Sequence, residues 1–221
     1  MLLNPYRFGS SGSYIRPVFR SNSAASTESG TLSVPLPAGW AVGDLGILHI
    51  GSTSASAISI TGWTEITSRS STNGMQRTYY RILQSGDGAA SVPNVGKRAA
   101  LMLAFEALTF DGSNPVAVLS GASDSGTGTS VTSPASDSVA ALPYFRIQAI
   151  NTNRATFYTD TTTYPFAALQ LVRSTGGSFP FPVIYMSGGN FDGGIDPSSS
   201  FVRPASESWA SYKILIRPRF A

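Results

Sequence analysis

Residues 208–218 read Ser-Trp-Ala-Ser-Tyr-Lys-Ile-Leu-Ile-Arg-Pro, and Tyr212, Ile214 and Ile216 fall on one face of an extended chain. Period-2 alternation of this kind marks a strand with one side on a core. Asp-Leu-Gly-Ile-Leu-His-Ile at 44–50 does the same, with Leu45, Ile47 and His49 on one face and Leu48 and Ile50 opposite. Outward from these two stretches, similar short runs recur between turn clusters from Thr31 onward: Thr31–Leu36, Ala57–Ile60, Trp63–Ser68, Met75–Leu83, Ala99–Phe110 and Pro115–Leu119. They continue with Ser138–Asn151, Ala155–Thr159, Ala167–Arg173 and Phe181–Ser187. Many short strands with Gly and Pro punctuation predict a sandwich or barrel. Ala99–Leu108, AALMLAFEAL, is read as a buried strand, with a helix as the alternative because its residues favour helix. The Gly, Ser and Asp stretches at 120–130, 174–178 and 187–200 read as loops.

Composition agrees. The chain has 221 residues, of which 12% are charged, and Ser (34) with Thr (19) make up about a quarter of it. A coiled coil or helical repeat would need abundant Ala, Glu, Lys and Leu, and a disordered chain would have fewer apolar residues than this one. Zero cysteines exclude disulfides and thiolate metal sites, and the single histidine, His49, excludes a His-His zinc motif. The longest apolar run, Ala99 to Phe105, is far short of a membrane span. Pro5 and Arg7 interrupt MLLNPYRFGSSG before a secretory leader can form, so assembly inside a cell is expected, without membrane insertion.

Charge is uneven. Residues 1–27 hold Arg7, Arg16 and Arg20 with no acid, and the last nine hold Lys213, Arg217 and Arg219 with no acid. Basic ends on a mildly acidic body predict that the termini meet acidic surface on a neighbour or another copy. Three arginines over fourteen residues are too sparse for nucleic acid. The first 30 residues have no core of their own, yet carry Tyr6, Phe8, Tyr14, Ile15 and Phe19. They are read as a docking arm (1–30) on a β-sandwich domain (31–221), with Tyr6, Arg7, Phe8, Tyr14, Arg16, Phe19 and Arg20 as its contacts. A terminal strand packed on its own domain is the alternative.

Five motifs then fall in a recognisable order: VPLPAGWAVGDLGILHI, ITGWTEIT, RTYYRIL, LMLAFEALTFDGSNPV and ESWASYKILIRP, spanning about Val34 to Pro218. In order and rough spacing the chain resembles a β-sandwich domain common in tailed-bacteriophage virion and prophage tail or fibre proteins. The resemblance implies an all-β, single jelly-roll-like antiparallel sandwich with an extended N-terminal arm. It further implies a non-enzymatic decoration, fibre or tail-associated protein, made in the host bacterial cytoplasm and located in the virion. Other virion proteins and copies of itself would be its partners. Physically the motifs are structural: Gly43-Asp44 enters a strand, Trp63 is expected in the core, and Tyr79 and Tyr80 point to opposite faces.

Candidates for chemistry are few. His49 lies in an apolar strand, where a lone histidine is a core or interface residue. Glu65 and Glu106 are the best pair of carboxylates for glycoside hydrolysis, which needs both in one cleft. No nucleophile elbow, P-loop or dinucleotide-binding glycine motif occurs, so no catalytic residue and no cofactor is expected. Asn190, Asp192 and Asp196 in a Gly-rich loop offer oxygen ligands to calcium, but their spacing is not an EF-hand and a plain loop is preferred. A second function, a carbohydrate-binding adhesion module, would use Tyr185, Phe191 and Trp209 as aromatic platforms on a host-surface glycan.

Overall fold

The computed structural model describes residues 13–71, 74–154, 168–173 and 181–221. Among the described residues the chain forms fifteen strands and no helix. The N-terminal half contributes β1 (Tyr14–Ile15), β2 (Phe19–Thr27), β3 (Leu32–Val34), β4 (Leu45–Ser52), β5 (Thr64–Ser71), β6 (Gly74–Ile82), β7 (Ala90–Val92) and β8 (Arg98–Phe105). The C-terminal half contributes β9 (Val116–Val118), β10 (Asp124–Ser133), β11 (Tyr144–Arg154) and β12 (Ala168–Arg173). It ends with β13 (Phe181–Phe191), β14 (Ser199–Ile216) and β15 (Arg219–Phe220).

One antiparallel sheet runs β2-β8-β4-β6-β5, and a second runs β10-β14-β11-β13-β12 with β9 also beside β14. Two ribbons, β3–β7 and β1–β15, complete the fold. The expected sandwich therefore forms. Each sheet is drawn from one half of the chain, whereas a jelly roll interleaves its strands between two sheets.

The alternation seen in the sequence maps onto the inter-sheet core. Leu45 and Ile47 of β4 and Leu101, Leu103 and Phe105 of β8 pack against Ile147, Ala149, Tyr212, Ile214 and Ile216 of the facing sheet. Leu48, Ile50, Tyr79, Ala100 and Met102 point the other way, and the β3–β7 ribbon covers them with Leu32, Val34, Ala90 and Val92. Strand β8 is thus buried on both faces along its whole length. Its run of apolar residues is continuous because neither face meets water. That excludes the helix alternative, and the strand stops at Phe105 because Glu106 opens a turn.

Several expectations need correcting. Residues 120–130 and 187–200 include strand β10 and the end of β13, which lack an apolar signal because backbone pairing, not a buried face, holds them. Ala57–Ile60 is not a strand. Trp63 is half-buried on the outer face of the first sheet, not in the inter-sheet core. Tyr79 and Tyr80 do point to opposite faces, one in each apolar cluster. Ala155–Thr159 lies outside the described residues.

Much of the expected arm is sandwich. Strand β2 lines the open edge of β8 from Phe19 opposite Phe105 to Thr27 opposite Arg98. Phe19 meets Phe105 edge-on, with ring centroids 5.8 Å apart, and Phe105 meets Phe145 at 5.0 Å. An unpaired edge of a buried strand is costly, and the N-terminal segment removes that cost. Tyr6, Arg7 and Phe8 lie outside the described residues.

On the outer face of the second sheet, Arg146, Asp196 and Lys213 form a fully buried cluster of two cations and one carboxylate. Asp196 pairs with Arg146 and lies 2.8 Å from Lys213 Nζ, which also donates to the carbonyls of Pro134 and Pro197. Burial pushes both cations' pKa values down, and Asp196 opposes that shift. Removing the only anion would strand two buried charges, so Asp196→Asn should cost about 3–5 kcal/mol in urea denaturation. Lys213→Met leaves a balanced Arg146–Asp196 pair and should cost far less. Equal losses for the two variants would contradict this account of the cluster.

Candidate functional site

At the end of the sandwich where β4 begins and β8 ends, residues 106–109 form a tight turn. Thr109 N–H and its hydroxyl both donate to the Glu106 carbonyl, at 3.3 and 2.7 Å. The third turn residue, Leu108, has φ of 64°. Glycine or asparagine is favoured at such a position, because a branched L-residue there costs about 1–2 kcal/mol. Leu108 is the only described non-glycine residue in that region of backbone, and 69% of it is exposed.

The neighbours hold the turn from every side. Ala107 N–H donates to Asp44 Oδ1 at 2.9 Å, and Glu106 N–H donates to the Val18 carbonyl at 2.9 Å. Val18 N–H donates to Thr109 Oγ1, and Arg219 Nη1 reaches the Leu108 carbonyl at 3.4 Å. Gly43, itself at φ of 92°, lies so close to the turn that an added Cβ would stand 3.2 Å from Ala107 Cβ. Strain persists only where surroundings over-determine it, and these contacts do so.

Around Leu108 the surface is apolar. A cleft of about 550 Å3 brings Val42, Leu108 and Phe110 together with Arg219. A second cleft, of about 660 Å3, shares Gly112 and Arg219 with the first and is rimmed by Tyr14, Val118 and Phe220. Val42 is 62% exposed and Phe220 58%, and Phe220 meets Tyr14 edge-on at 5.3 Å. Asp111, on the crossover loop between the two sheets, turns its carboxylate to the backbone N–H groups of Ser113 and Asn114. Apolar and aromatic side chains with arginine and few acids make up the composition of an interface centre.

Sequence reasoning assigned the termini to a partner, and the structure places their described charges within the chain. Arg16 pairs with Asp192 and donates to the Tyr144 carbonyl at 2.8 Å. Arg20 pairs with the buried Asp44 at 2.7 Å and approaches Glu106 at 4.0 Å. Arg16, Arg20 and Lys213 thus meet acidic groups of the same molecule, whereas Arg219 donates to a backbone carbonyl on the end face. Of the described arm contacts, Tyr14 alone contributes to the exposed end face, and Phe19 is in the core contact already described.

The remaining candidates are dispersed. Asp192 and Asp196 are committed to arginine and lysine partners and Asn190 is exposed on β13, so these three do not gather around a cation. Trp209 is 5% exposed and lies across Gly126 of β10, which leaves it no open platform. Phe191 is half-buried beside Tyr144, and the side chain of Tyr185 lies outside what is described. Glu65 and Glu106 sit on β5 and just past β8, with β4 and β6 between them. Three strand spacings of about 4.8 Å separate them by roughly 14 Å across the sheet, and the register adds an offset of four residues along it, beyond the reach of a glycosidase pair. Glu65 instead pairs with Arg77 at 2.6 Å.

No protein-family model, characterised protein or solved structure matches the chain. The end face therefore rests on its own geometry. The signal for it in the sequence is the non-glycine turn residue after AFEA, visible only once the turn is known.

His49 is fully buried between the sheets, with Nδ1 2.8 Å from Thr78 Oγ1 and Tyr212 hydroxyl adjoining both. Burial pushes the imidazole from its ordinary 6.5 down to about 3. Below pH 6.5 the unfolded chain takes up that proton and the folded chain does not, so stability is lost as pH falls from 6.5 toward 3. The loss approaches about 1.4 kcal/mol per pH unit in that window. Urea denaturation near pH 5 should thus show about 2 kcal/mol less stability than near pH 7.5. His49→Gln should remove most of that difference, and an unchanged difference would contradict the assignment.

Proposed function

We propose that the chain is a non-enzymatic structural component of a tailed-phage particle, a decoration, fibre or tail-associated β-sandwich. It attaches to a neighbouring particle protein, or to another copy, through the end face around Leu108. The observation that carries this reading is the strained, exposed leucine. A free domain gains nothing from holding an apolar side chain in water on an unfavourable backbone. Buried in a partner, the same side chain returns about 1.5–3 kcal/mol. The order of the five sequence motifs supports the particle setting, and the flanking Tyr14, Phe220 and Arg219 supply the residue types that anchor interfaces.

Attachment thus shifts from the expected arm to a surface that the N-terminal ribbon helps to build. Leu108→Asn separates the two roles of this residue, since asparagine tolerates positive φ but offers no apolar contact. The free variant should be as stable as the parent, or up to about 1 kcal/mol more stable, by denaturation. Its incorporation into particles lacking the native protein should fall about tenfold or more, the equivalent of one lost buried leucine. Normal incorporation of a folded variant would refute the docking role.

A further inference from the structure

On the outer face of the first sheet lies a cleft of about 410 Å3 that shares no lining residue with the clefts around Leu108 and whose wall includes Trp63, Arg81 and hydroxyl side chains. Trp63 is half-buried. Its ring tip reaches Gly46 of β4, where an added Cβ would stand 3.0 Å from Cη2, so the glycine makes room for the indole. Trp63 also borders the cleft.

Arg81 is fixed beside it. Its Nη2 lies 2.5 Å from Asp87 Oδ1, and Asp87 is itself held by the Gln84 N–H, which donates to Oδ2 at 2.7 Å. The guanidinium also lies against Gly62, which sits at φ of 77°; a Cβ there would come within 2.9 Å of Nη1. Two independent constraints therefore hold the fork in one plane. Thr31, Ser59, Thr61 and Ser91 add hydroxyl donors and acceptors around it.

We propose that this cleft binds a neutral saccharide. A pyranose ring has an apolar C–H face and an edge of vicinal hydroxyls. The electron-rich face of an indole suits the first. The second needs donors and acceptors side by side: Arg81 supplies donors, the hydroxyls of Thr31, Ser59, Thr61 and Ser91 supply both, and Asp87, paired with Arg81, cancels its charge. A neutral ligand follows from that cancellation, because an anionic sugar would have to compete with Asp87 for Arg81. A volume of about 410 Å3 lies in the usual range for a small-ligand site. The site is distinct from the aromatic trio Tyr185, Phe191 and Trp209 and independent of the docking role of Leu108.

The test uses the full chain with maltohexaose, cellohexaose, hexa-N-acetylchitohexaose and, as the acidic counterpart, hexagalacturonate, each titrated while indole fluorescence is followed. At least one neutral hexasaccharide should bind, with hexagalacturonate weaker. Trp63→Ala should weaken that binding about tenfold or more, the usual scale for loss of an aromatic anchor. Because Trp63 also packs on β4, Arg81→Met is measured beside it; that variant keeps the aliphatic stem and should lose binding several-fold while its melting curve stays cooperative. Leu108→Asn should bind sugar normally, so that failure here and failure of particle docking are separable. Absence of binding to all three neutral sugars, preference for the acidic one, or unchanged affinity in both cleft variants would overturn the proposal.

Discussion

The carboxylate of Asp44 ties together the end of the molecule that carries the Leu108 turn. It is fully buried and accepts from Arg20 Nε at 2.7 Å, from Ala41 N–H at 2.9 Å and from Ala107 N–H at 2.9 Å. A buried carboxylate is tolerable only when its lone pairs are met and its charge is countered, and here both conditions hold. One oxygen closes the Gly43-Asp44 turn into β4, the other reaches the turn after β8, and Arg20 brings in β2. The N-terminal strand, the central sheet and the Leu108 turn thus depend on one side chain. It is the one side chain that joins all three, and the Val18, Thr109 and Arg219 contacts complete the hold on Leu108.

A second electrostatic centre, Arg146–Asp196–Lys213, organises the other sheet in the same manner. There the carboxylate comes from the Gly-rich segment after β13, and it pins that segment over the cations of β11 and β14. Both centres explain the uneven charge of the chain. Arg16, Arg20 and Lys213 of the acid-free termini find Asp192, Asp44 and Asp196 within the fold, while Arg219 stays on the end face. Such complementarity fixes which segments pack together, and leaves the outer end face comparatively free of acid.

The sheets were legible where a strand has one or two buried faces. Tyr212, Ile214 and Ile216 announced β14, and Leu45, Ile47 and His49 announced β4, because burial imposes the period on the side chains. Strand β2 was legible only as the alternative to an arm and β10 read as a loop, since FRSNSAAST and DSGTGTSVTS are only partly buried and owe their place to backbone pairing. The end face was not legible either. It gathers Tyr14, Val42, Leu108, Val118 and Phe220 from five distant segments, and no local pattern encodes that meeting. Trp63 illustrates the reverse error. A tryptophan after glycine looks like core, but here Gly62 serves the guanidinium of Arg81 and the indole borders a cleft.

The chain has no cysteine, so one introduced thiol is a unique handle for mapping contacts in assembled particles. Val42→Cys places it on the end face without altering Leu108, and Ser56→Cys places it on exposed surface beyond the other end of β4. A thiol-to-amine crosslinker applied to intact particles should join the Val42 variant to a neighbouring subunit and leave the Ser56 variant unlinked. Crosslinking from Ser56 with none from Val42 would contradict attachment through the Leu108 face.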